Sequence, residues 1–120
     1  MRNPFTGLYS GPGRGCRDGV RQQLRGNALW SGGPEGAVVA LLPDSATGNQ
    51  RHWQGQVKPD GFVLLWAATP GHHPDTACGW VRLAASGALV VDLAAAGLGM
   101  APEQWRFTLG PQHSYGVAGR

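Results

Sequence analysis

The chain has 120 residues, a formal net charge of +3, 42% hydrophobic residues, 20 glycines and 9 prolines. That length holds one domain with a modest core. Five tryptophans, three phenylalanines and two tyrosines exclude a disordered low-complexity chain, which lacks the apolar surface to fold, and leave a turn-rich β domain.

In chain order, FTGLYSG (5–11) opens as a strand with Phe5, Gly7 and Tyr9 on one face. GPGRGCRDG (11–19) is a loop by composition. VRQQLRGNALW (20–30) fits two patterns. As a strand it puts Val20, Gln22 and Leu24 on one face and Arg21, Gln23 and Arg25 on the other. As a helix it would be capped by Asp18, with Arg14, Arg17, Arg21 and Arg25 near one stripe. Gly19 and Gly26 bracket too short a span for a stable helix, so the expectation is a strand. SGGPEG (31–36) is a turn, AVVALL (37–42) a strand and PDSATGNQ (43–50) a loop.

RHWQGQV (51–57), KPDG (58–61) and FVLLWAA (62–68) predict a hairpin with Pro-Asp-Gly at its turn. TPGHHPDTA (69–77) is the longest polar loop. CGWVRLAA (78–85), SG (86–87) and ALVVDLAAA (88–96) predict a second hairpin, and the two hairpins faintly repeat one another. GLGMAPEQ (97–104) is a loop or one helical turn. WRFTLG (105–110) closes the set, with Trp105, Phe107 and Leu109 on one face. Residues 111–120 read as a C-terminal tail on a single domain of residues 1–110. The sum is an all-β fold: a small antiparallel meander barrel of about eight strands, whose closure removes exposed edges and leaves room for one small ligand.

Several residue groups suggest chemistry. His72, His73, Asp75 and Cys78 lie within seven residues and are all able to bind a metal. They lack a Cys-x-x-Cys or His-x-x-x-His spacing, and the plainer reading is a solvated loop shaped by Pro70, Gly71 and Pro74. GPGRG lacks the Gly-Lys-Ser/Thr of a phosphate loop; a weaker anion site of backbone N–H groups with Arg14 and Arg17 survives. Asp44 and Asp60 sit in turns, where Asp is expected for its backbone hydrogen bond. Cys16 and Cys78 are one candidate disulfide, which would stabilise by roughly 2–4 kcal/mol. The alternative for Cys78 is a nucleophile beside a histidine.

Trp30, Trp53, Trp66, Trp80 and Trp105 offer large rigid surfaces for a core, an oligomer interface or a ligand pocket. Tryptophan interleaved with arginine also suits single-stranded nucleic acid. Against that, Arg2, Arg14, Arg17, Arg21 and Arg25 come before residue 26, while the tryptophans come later. A charge of +3 adds little, and nucleic acid is not expected as a partner.

The strands also resemble those of the avidin/streptavidin family. FTGLYSG is similar to that family's opening Thr-Gly-Trp-Tyr strand, GFVLLWA (61–67) to its Gly-Trp-x-x-x-Trp strand, and EQWRFTLGPQHSY (103–115) to its closing strand. The resemblance implies a barrel of avidin or lipocalin type, puts Trp66 where a tryptophan packs on ligand, and puts Trp80 near another. The polar biotin ligands have no counterpart. SGPGRGC stands where the family places an Asn and a Ser, His113 or its neighbours replace an Asp, and Asp92-Leu93 stand where a partner-donated tryptophan would fall. Tight biotin binding is therefore not implied.

The expectation is non-catalytic binding of a small, partly apolar molecule, with no cofactor. The ligand-binding residues would be Trp66, Trp80, Trp105 and Trp53, with His72, His73 and Arg14 at the mouth. Two competitors stand beside it: a homo-oligomer built on tryptophan surfaces, and a small enzyme using His72, His73 or Cys78. No run approaches the roughly 20 apolar residues of a membrane helix, so no membrane association is expected. Met1-Arg2-Asn3-Pro4 shows no signal-peptide core, which leaves a cytoplasmic protein or an exported one whose signal was removed.

Overall fold

The computed structural model describes residues 3–17, 22–45, 47–68, 70–71, 73–96 and 102–112. Eight strands follow in order: β1 (Gly7–Arg17), β2 (Gln22–Gly32), β3 (Ala37–Pro43), β4 (Gln50–Val57), β5 (Phe62–Ala67), β6 (Asp75–Leu83), β7 (Leu89–Ala96) and β8 (Glu103–Pro111). Each pairs antiparallel with the next, and β1 pairs with β8 to close the barrel. The all-β meander barrel read from strand alternation is the fold found.

The strand reading of 20–30 holds over β2: Leu24 is buried while Gln23 and Arg25 are exposed. The loop expected at 11–19 does not hold, because β1 runs through it to Arg17. The reason is packing from β8. Gly11, Gly13 and Gly15 face inward, and Phe107 and Trp105 lie over Gly13 and Gly15 where side chains would otherwise stand. Pro12 and Arg14 face out. The recorded pairs between β1 and β8 skip Gly11 and Pro12, where proline has no N–H to give. The polar loop expected to reach residue 77 ends earlier, since β6 starts at Asp75. Most of the loop expected at 97–104, and residues 113–120 of the expected tail, lie outside the described residues.

One end of the barrel is stitched by three turns of one design. In each, residues 33–36, 58–61 and 84–87, the last residue's N–H donates to the first residue's carbonyl, and the last residue is a glycine at φ 96°, 102° or 89°. This is a tight turn whose final position needs the left-handed backbone that glycine adopts freely. The faint hairpin repeat in the sequence is this turn, used repeatedly. The N-terminal segment covers the same end. Phe5 is buried there, and buried Asn3 donates from Nδ2 to the Val57 carbonyl at 2.9 Å and accepts the Phe5 N–H at 2.9 Å. Above this cover the interior is filled by Trp30, Phe107, Leu65, Leu89, Leu109, Val63 and Val91, all fully buried.

Candidate functional site

Two places gather functional side chains: the inner mouth of the barrel and a groove on its outer wall. The mouth lies at the end away from the tight turns. Arg17 and Glu103 both occupy inward positions there, on paired strands. Arg17 Nη2 approaches Glu103 Oε2 at 2.5 Å, Ser45 Oγ donates to the same oxygen at 2.6 Å, and Trp105 Nε1 donates to Oε1 at 2.9 Å. Arg17 also donates to Ser45. Burial pushes the Glu103 carboxyl up. The hydrogen bonds from Ser45, Arg17 and Trp105, with the Arg17 charge, outweigh that and hold it below its ordinary value.

Across the mouth, Arg51 of β4 meets Asp75 of β6 at 2.5 Å. The pair spans the end of β5, where small Ala67 is paired with Asp75. Arg51 also lies over the Trp53 ring, 5.4 Å from its centroid. Trp53 and Trp105 face inward, each 7% exposed, and each is roofed by an ion pair. A ligand entering here would have to break charged contacts and displace packed rings. Below, the indole N–H of Trp30 is buried with no hydrogen-bond acceptor among the described residues.

The outer groove asks for neither. It has a volume of about 680 Å³ and runs over β6, β7, β8 and β1, reaching Gln23 of β2. Strand register sets its rows. Arg25, Arg14, Arg106, Asp92, Trp80 and Phe62 are successive cross-strand partners, all on outward positions. Beside them runs Gln23, Cys16, Gln104, Ala94, Cys78 and Leu64. One end is thus cationic, the other aromatic, and the floor between has short side chains. Trp80 is 55% exposed and meets Phe62 edge-on, with centroids 5.4 Å apart at 72°. Arg106 grips Asp92 with two hydrogen bonds, of 2.6 and 3.1 Å, and this raises its already high pKa. Among the described residues neither Arg14 nor Arg25 has a salt-bridge partner.

The structure separates some residues that the sequence grouped. Trp66, 36% exposed, and Trp80 face outward, so neither walls the barrel interior with Trp105 and Trp53. Trp66 in particular does not take the inward ligand-packing position that the family resemblance implies. Arg14 stands on the outer wall, away from the inner mouth. His73 is exposed in the loop before β6, and His72 lies outside the described residues. Cys78 faces out from the wall, about 10 Å along the strand from Asp75, so the 72–78 group does not converge. Among the described residues no three His, Cys, Asp or Glu side chains gather as for a metal ion.

The disulfide expectation is corrected: Cys16 and Cys78 are free. They share a row but stand three strands apart, about 14 Å along the wall, whereas a disulfide needs Cα atoms within about 7 Å. Trp80, Arg14, Cys16 and Cys78, drawn from different readings of the sequence, instead meet in the groove.

Sequence reasoning gave no binding role to Arg106, Asp92, Gln104 or Gln23. Alternation against Trp105 and Leu24 already turned Arg106, Gln104 and Gln23 outward, but only the register makes them neighbours of Trp80 and Arg14. No helix of the described residues is long and apolar enough to cross a membrane. No protein-family model matches the chain, and a search of curated proteins finds no match.

Proposed function

We propose that this protein is a non-catalytic binding module for a small, partly apolar molecule, held in the outer-wall groove between Trp80 and Arg14. One observation carries the reading: a concave surface of ligand size joins an exposed tryptophan to Arg14, which has no salt-bridge partner among the described residues, over a floor of short side chains. A flat apolar group would bury against Trp80 and above Ala94 and Cys78. Arg14 and the amides of Gln23 and Gln104 would fix its polar edge. Paired strands fix the backbone under the groove, so binding has to order only the exposed side chains that touch the ligand.

The test is a fluorescence and thermal-shift titration with 2-naphthol, a flat neutral aromatic, on the wild-type chain and Trp80→Leu. Binding should raise the melting temperature of the wild type, because only the folded state presents the groove, and should be lost in Trp80→Leu. Equal binding to both proteins would sink the proposal.

A second reading has its own support. Leu64, Trp66 and Trp80 are exposed on the adjacent strands β5 and β6, an apolar patch of the kind that homo-oligomers cover. Sedimentation across a range of concentrations, on the wild type and Trp66→Gln, separates the two. Association abolished by Trp66→Gln with 2-naphthol binding intact assigns the patch to self-association and the groove to ligand.

A further inference from the structure

We infer that the groove's ligand is a nucleotide unit: an aromatic base on Trp80, joined to a phosphate chain on Arg14, with Arg25 next in the same row. This rests on the reading of the groove as a small-molecule site and names the chemistry that would fill it.

The groove is chemically divided. Its aromatic end, Trp80 braced edge-on by Phe62, leaves an indole face open to a stacked ring. Its cationic end is lined by Arg14 and Arg106, and Arg25, the cross-strand partner of Arg14 on β2, stands just beyond the lining. Asp92 neutralises Arg106 and fixes its fork, while among the described residues Arg14 and Arg25 have no salt-bridge partner. A neutral aromatic would leave those arginines without a role. Inorganic phosphate would leave Trp80 without one. A molecule that uses both ends needs a flat ring and an anion separated by a linker.

Register gives the length of that linker. Trp80 lies two strands from Arg106 and three from Arg14, about 10 and 14 Å along the wall. A sugar with an extended phosphate chain spans such a gap. Arginine forks suit phosphate oxygens, and tryptophan stacks any base. Sequence order hides this match: Arg14 and Arg25 precede every tryptophan, and it is the β1–β8 closure that carries them beside Arg106 and towards Trp80.

The experiment titrates the full chain with ATP, adenosine and inorganic triphosphate at low salt, by calorimetry. A thymidine dodecamer and 2-naphthol are run beside them. ATP should bind at least about tenfold tighter than either of its halves and weaken as added salt screens its contact with the arginines. Trp80→Leu and the double variant Arg14→Gln/Arg25→Gln should each weaken ATP by about tenfold or more. Both change outward side chains, so an unmoved melting temperature shows that the barrel is intact. A dodecamer tighter than ATP assigns the same chemistry to a single strand; ATP equal or tighter assigns it to a free nucleotide. ATP no tighter than adenosine, or indifferent to the arginine variant, overturns the inference. If 2-naphthol then still binds through Trp80, the groove remains a small-molecule site and only the nucleotide assignment falls. If 2-naphthol fails as well, both fall.

Discussion

Phe107 of β8 lies across the backbone of Gly13 on β1, in the space that a β-carbon would need. Trp105 sits over Gly15 in the same manner, where an added Cβ would stand 2.6 Å from Trp105 Cδ2. The two rings stack at 5.3 Å with planes 4° apart. This interlock turns a Gly-Pro-rich segment into a wall of the barrel. Gly13→Ala is therefore expected to lose about 1–3 kcal/mol through overpacking. Thermal unfolding of Gly13→Ala, Phe107→Leu and the double variant checks it: trimming the ring should recover part of the loss. Strictly additive effects would mean that the two residues do not share the space.

The mouth cluster predicts a pH dependence. Glu103 titrates below its ordinary value near 4.5 in the folded protein, through the hydrogen bonds from Ser45, Arg17 and Trp105 that outweigh burial. A carboxyl with a depressed folded pKa binds fewer protons folded than unfolded. Its contribution is complete above the ordinary value and is lost as pH falls below it, through the folded value. Glu103→Gln should lower the urea midpoint at pH 7, and the deficit should shrink as pH falls progressively below 4.5. A deficit of the same size throughout would show that the carboxylate's charge is not what matters.

The free cysteines predict insensitivity to redox conditions. Thermal unfolding with and without reductant should give the same midpoint. A thiol reagent added to the folded protein should label Cys78, which is exposed, faster than half-buried Cys16. A midpoint that falls on reduction would put the two sulfurs within bonding distance and contradict the register.

Tryptophan exposure can be read directly. Trp66 and Trp80 should be quenched by acrylamide, while Trp30, Trp53 and Trp105 should be shielded. Replacing Trp66 and Trp80 by Phe should remove most of the quenchable emission. Strong residual quenching in that double variant would place an inner tryptophan in contact with solvent.

The buried indole N–H of Trp30 has no acceptor among the described residues, which costs roughly 1–3 kcal/mol while it stays unpaired. Trp30→Phe removes that donor along with part of the ring. The relief should offset much of the cavity cost, leaving a net change of about 1 kcal/mol or less by urea unfolding. A loss above about 3 kcal/mol would indicate that the N–H is satisfied in solution, for instance by a buried water.

The sequence by itself determined the strands and their faces. Period-two alternation in RHWQGQV and WRFTLG is a local property, because a buried face demands apolar residues at every second position whatever lies opposite. Turn chemistry is local too: the glycines of GPEG, KPDG and AASG are read from the φ they must adopt. The tertiary structure decided what alternation cannot encode. GPGRG looked like a loop because glycine has no face, and it became a strand only when Phe107 and Trp105 arrived from about 90 residues away to fill it. Trp66 and Trp80 looked like pocket walls because a tryptophan looks the same on either side of a sheet. Leu65, Ala67 and Val81, by taking the inside, put them out. The groove belongs to register alone. Arg14, Arg106, Asp92 and Trp80 come from four strands, and only the hydrogen bonds that close the barrel set them in one row.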